Sequence, residues 1–138
     1  MSAALDTGDR ALAVAPDDEG VTLFVAAVLA VMDRDRDRAY NLLKKVAKSM
    51  PEVDPFYVMT RGLLALRAGQ YEEAVTLLRQ GLQELPPDPL ALEALGDAYA
   101  ALGRKDDAIS AWRKGYGATS SRHARRRSLA RKFRRARR

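Results

Sequence analysis

Displaced by 34 residues, the sequence falls on itself. Pro55 lands on Pro89, Gly62 on Gly96, Leu66 on Ala100, Gly69 on Gly103, Ala74 on Ala108, Leu78 on Trp112 and Gly81 on Gly115. A fixed period of this length is the mark of an array of small units, each unable to bury its own apolar face and therefore stacked on its neighbours. Towards the N-terminus the spacing becomes 35, between Ala39 and Ala74 and between Pro51 and Pro86. The linker PEVDP, standing where PPDP stands later, accounts for the extra residue.

Each period reads as two amphipathic helices joined by a tight turn. Asp54 is placed to cap the first helix, and Pro55 occupies its first position, where a missing N–H costs no hydrogen bond. Gly69 stops that helix, since it lacks the Cβ that disfavours a left-handed closing residue. From Tyr71 to Glu84 the helical spacing resumes through Ala74, Leu77, Leu78 and Leu82. Pro86 and Pro87 end the second helix, and Asp88 with Pro89 opens the next unit.

These residues resemble the tetratricopeptide repeat, a 34-residue helix–turn–helix with the pattern W-x2-L-G-x2-Y, then A-x3-F, then P. Residues 89–120 supply Leu92, Leu95, Gly96, Tyr99, Ala108 and Trp112, with Ser120 where the final Pro belongs. Residues 55–88 supply Val58, Gly62, Ala65, Ala74, Leu78 and Pro86, with Arg61 departing from the expected Leu. Residues 20–54 form a degenerate copy with Leu23, Ala26, Ala27, Ala30, Ala39, Leu43 and Pro51. Residues 1–19 read as a lone second helix, because RALAVAP repeats the spacing of the helices that end at Pro51 and Pro86. Adding 34 to Leu95, Gly96 and Tyr99 gives Leu129, Ala130 and Phe133, which makes residues 121–138 a basic capping helix with a narrow apolar stripe. The resemblance implies an all-α fold, a right-handed α-solenoid of antiparallel helix pairs with about eight helices, in one domain.

It also implies a function, because the first helix of each pair lines a concave groove in this family and holds a peptide there. Carried onto this chain, the groove residues are Phe24, Val28 and Met32 in the first repeat, Phe56, Met59, Leu63 and Arg67 in the second, and Glu93 and Asp97 in the third. Arg127, Arg131 and Arg134 continue the wall along the last helix, and Arg135 adds to the same basic surface. The Lys and Asn with which co-chaperone members hold a terminal carboxylate are missing from these positions, so an apolar or amphipathic segment is the expected occupant, with Phe56 and Met59 as anchors. The stretch Val21 to Met32 is apolar all round, which suits plain core, a partner groove or a self-association surface. Small three-repeat secretion chaperones share this length and repeat number, but not the basic end.

Charge separates the two ends of the chain. The 24 basic and 18 acidic residues give +6, yet residues 122–138 hold ten of the bases and none of the acids. Such a run is a solvated cap, or it attaches to an acidic protein, to nucleic acid or to an anionic membrane; Phe133 and Leu129 are its only groups for stacking or insertion. With no cysteine and a single histidine, thiolate metal sites, disulfides and Cys nucleophiles are excluded. His123 lies among positive charges with no carboxylate near in sequence. The DRDRDR run from Asp33 to Arg38 neutralises itself at a turn, unlike a cation site. Neither catalytic residues nor a cofactor or metal is expected, so the reading is a non-catalytic adaptor or chaperone. The alternatives are a nucleic-acid-associated protein or a homo-oligomer built on the first repeat. No secretory signal is recognisable at the start, and a cytoplasmic location is the expectation.

Overall fold

The computed structural model describes residues 2–49, 54–119 and 124–137. Within them lie α1 (Ser2–Val14), α2 (Glu19–Met32), α3 (Arg36–Ala47), α4 (Pro55–Arg67), α5 (Tyr71–Glu84), α6 (Pro89–Ala101), α7 (Lys105–Ala118) and α8 (Ala124–Ala136). Among the described residues there is no strand.

Local chemistry sets the helix ends. Asp18, Asp54 and Asp88 each accept a hydrogen bond from a first-turn amide, that of Val21, Tyr57 and Leu90 respectively. Pro55 and Pro89 then sit in the first turn. The turns that follow α4 and α6 close on Gly69 and Gly103, at φ 78° and 77°. After α2 the left-handed positions fall on Asp33 and Asp35, at φ 50° and 46°. There the acids of the DRDRDR run act locally: Asp33 pairs with Arg36 at 3.0 Å, and Asp35 caps the amide of Arg38 at 3.3 Å. Arg38 reaches across to Asp9 on α1.

The helices form two layers. In the inner layer α2 touches α4, α4 touches α6 and α6 touches α8. The outer helices α1, α3, α5 and α7 pack on inner helices and, among the described residues, their backbones do not approach one another, although the Arg38–Asp9 ion pair links α3 to α1. Small residues allow the close approach. The Trp112 indole lies directly on Gly96, and a Cβ placed on Gly62 would stand 2.9 Å from Leu78 Cγ. Leu29, Leu64, Leu78 and Leu129 run through the middle of the stack as its most deeply buried leucines.

One feature of the register departs from the sequence reading. The caps Asp18 and Asp54 are 36 apart, whereas Ala39 and Ala74 are 35 apart, so a second extra residue lies inside the α2–α3 hairpin as well as in the linker. It lengthens α2 to 14 residues against 13 for α4 and α6. Counted from the caps, Leu23, Ala27 and Val31 rather than Phe24, Val28 and Met32 are the equivalents of Met59, Leu63 and Arg67.

Candidate protein-docking surfaces

The inner wall is built from α2, α4, α6 and α8, and most of its predicted ligand contacts are already engaged within the chain. Val28, Met59, Leu63 and Glu93 are buried, at 5%, 8%, 4% and 8% exposure. Most of each side chain is thus packed within the chain: the base of Met59 lies against Gly81 of α5, and Glu93 is met by α8. Val28 is also misplaced by the one-residue register shift in α2. Met32 is half-buried, and Phe24, 45% exposed, is turned towards α1, where its ring lies beside Gly8.

Arg67 serves the fold rather than an open groove. Its Nε and Nη2 donate to the carbonyls of Ala30 and Val31, both at 3.0 Å, in the last turn of α2. A guanidinium fits this position because the last carbonyls of a helix lack intrahelical donors and carry the negative end of its dipole.

The two acids of α6 are neutralised by α8. Glu93 accepts from Arg125 Nη1 at 3.1 Å, from Ser128 Oγ at 3.2 Å and from Lys132 Nζ at 2.8 Å. Asp97 accepts from Lys132 Nζ at 2.9 Å through both oxygens, and from Trp112 Nε1 at 3.1 Å. Burying a carboxylate is unfavourable unless it is paired, and here three side chains of one helix supply the pairing. Arg125, Ser128 and Lys132 were not among the residues singled out from the sequence. The repeat held a signal for them, since a shift of 34 places Lys132 level with Ala98, next to Asp97 on the neighbouring inner helix.

What stays open on this wall is Phe56, 57% exposed in the first turn of α4, and the arginine face of α8. Arg127, Arg131, Arg134 and Arg135 are all exposed. The other side of α8 is apolar and packed: Leu129 is fully buried, and Phe133 meets Tyr116 edge-on with ring centroids 5.7 Å apart. Arg126 stacks over Tyr116 at 4.1 Å from the ring centroid. The apolar first repeat is likewise drawn inward, with Leu23, Val25, Ala26, Leu29 and Ala30 in the core, which removes most of the surface on which self-association through α2 would depend. His123 lies outside the described residues. Among the described residues no group of three or more metal-ligating side chains is clustered, and no helix is long and apolar enough to cross a membrane.

Repeat spacing, capped helix pairs and a two-layer stack thus coincide, and residues 59–123 match the family model for the tetratricopeptide repeat. The chain's fold is that of tetratricopeptide-repeat structures. Solved structures with the same fold include a crystal structure of MamA, 16% identical, covering 96% of this chain and 84% of that one at a TM-score of 0.62. TTC0263, described as a thermophilic TPR protein in Thermus thermophilus, is 22% identical over 96% of this chain and 70% of its own, also at 0.62. A further structure described as MamA MSR-1 C2 is 22% identical over 93% and 66%, at 0.55. No curated protein matches the sequence. The chain is an all-helical solenoid of the tetratricopeptide-repeat kind.

Proposed function

We propose that this chain is a non-catalytic adaptor that holds a segment of a partner protein against its inner wall, with Phe56 as the anchor. The observation that carries this reading is the exposure of Phe56 on the central inner helix. Among the described residues the only other large apolar side chains so exposed are Val14 and Phe24. Aromatic rings are the commonest anchors of protein interfaces, and Phe56 at 57% exposure offers one on this helix. Burial of Met59 and Leu63 narrows the contact to the rim near the start of α4, so an apolar or amphipathic segment docks along the wall's edge rather than deep within it.

The test is affinity capture followed by mass spectrometry with the wild type and Phe56→Asp. The reading requires that a partner retained by the wild type is lost by the variant while the melting temperature is unchanged. Retention of every partner by Phe56→Asp overturns it. Met59→Asp is unsuited to this purpose, because a charge at that buried position unfolds the hairpin instead of marking a contact.

A second reading rests on α8. Arg127, Arg131, Arg134 and Arg135 leave an exposed cationic face with no acid on the helix, which suits a phosphate backbone. With Leu129 and Phe133 packed inside, that contact is electrostatic rather than stacking or insertion. Titration of a generic duplex at two salt concentrations decides it: steep weakening with salt supports the reading, and absence of binding in low salt eliminates it.

A further inference from the structure

Because the backbones of α3, α5 and α7 stand apart, the gaps between them are floored by inner helices, and these two gaps differ in what fills them. Between α3 and α5 the space amounts to 190 Å³. Tyr57 and Arg61 plug it: the Arg61 guanidinium lies 5.8 Å from the Tyr57 ring centroid and 3.9 Å from Glu73 Oε1 on the facing wall. Thirty-four residues later the same positions hold Ala91 and Leu95. Neither is long enough to repeat the plug, and the gap between α5 and α7 widens to 830 Å³. That volume lies within the range of real ligand grooves.

The floor of the wider groove is apolar, made by Leu92, Leu95 and Tyr99. Its walls are cationic. Arg79 comes from α5, Lys114 from α7, and both are exposed. The one acid in the lining, Asp107, is held by Arg104 at 2.8 Å, and Arg104 itself covers the Tyr99 ring at 4.6 Å. An apolar floor between two cations from opposite walls is complementary to a carboxylate-bearing segment with an aliphatic anchor.

We propose that the groove between α5 and α7 is a second docking surface, on the outer side of the solenoid, for a short acidic segment of a partner protein. An aliphatic side chain of that segment seats on Leu95, and its carboxylates pair with Arg79 and Lys114. The surface is separate from the inner wall, so it stands or falls independently of Phe56.

The test uses the full chain and three synthetic peptides: one alternating Glu and Leu, the same with Lys for Glu, and the same with Ser for Leu. Backbone amide signals are followed by NMR during titration. The acidic leucine peptide binds at least about tenfold tighter than either control, and shifts concentrate at Arg79, Leu95 and Lys114. Leu95→Arg, which installs the residue found in the plugged groove, weakens binding by about tenfold or more, and so does the exposed pair Arg79→Glu with Lys114→Glu. Phe56→Asp leaves it unchanged. If Leu95→Arg does not fold, the charge-reversed pair decides alone, since its two positions lie on the surface. Equal binding of the lysine peptide, shifts confined to α2, α4 and α8, insensitivity to charge reversal, or no saturable shift with the acidic peptide overturns the proposal.

Discussion

At the scale of single residues the stack depends on places where one atom more is too many. Gly96 is the sharpest case, because an added Cβ would penetrate the Trp112 ring at Cδ1 and Nε1. In an exposed helix Gly→Ala stabilises by about 1 kcal/mol, so its sign here separates packing from propensity. Gly96→Ala is expected to destabilise the protein by about 1–3 kcal/mol, since Trp112 must leave its hydrogen bonds to Asp97 and to the Glu93 carbonyl to make room. Chemical denaturation checks this, and a stabilised variant contradicts the account. Arg67 offers the complementary case. Two parallel hydrogen bonds from one guanidinium hold the end of α2, and Lys cannot reproduce the fork. Arg67→Lys is expected to cost about 1 kcal/mol and Arg67→Ala somewhat more. The loss should appear first as faster amide exchange in the last turn of α2.

At the scale of elements, α8 is the helix whose place rests most on polar contacts. Glu93 faces three of its side chains, and Lys132 bridges Glu93 and Asp97. Glu93→Gln keeps the shape and removes the charge. It is expected to weaken α8 docking by about 1–2 kcal/mol, a figure discounted because the cations are about a third exposed and can turn to water. Hydrogen exchange reads this directly: α8 amides should exchange faster while those of α4 and α5 keep their rates. Equal protection of α8 in both proteins would leave Leu129 and Phe133 as its sufficient anchors. The same helix shows why the fold was legible in the sequence and the inner wall was not. Proline, glycine and capping aspartate positions are local signals, and they recur at the period whatever lies beside them. Exposure of a wall residue depends on how near the next inner helix comes, which Met59, Leu63 and Glu93 do not encode by themselves. The register of α2 was hidden for a related reason: Asp33 and Asp35 take the left-handed turn positions without the glycine that marks Gly69 and Gly103. The groove between α5 and α7 is not legible in the sequence because it arises from two replacements, Ala91 for Tyr57 and Leu95 for Arg61, that keep the repeat pattern but not the volume.

At the scale of the whole molecule, the free face of each inner helix decides what the stack can add. Each inner helix offers the next one a face, and α4 and α6 are covered on both sides. On α8 the side towards α7 is apolar, whereas Arg127, Arg131, Arg134 and Arg135 are exposed, Arg131 and Arg135 beside a recess shared with Asp97 and Ala100. Mutual repulsion and the cost of desolvating four guanidinium groups disfavour the docking of a second copy there, whether or not the face also binds a ligand. Replacing Arg131, Arg134 and Arg135 with Leu is therefore expected to turn this face of α8 into an adhesive one. The buried residues Leu129 and Ala130 are untouched by the change, so the helix content should be kept. Light scattering coupled to size exclusion checks the outcome: the variant's mass should rise with concentration relative to the wild type. An unchanged mass over the whole range would show that the arginines are not what keeps copies apart, and would leave ligand binding as the remaining reason for four arginines on one face.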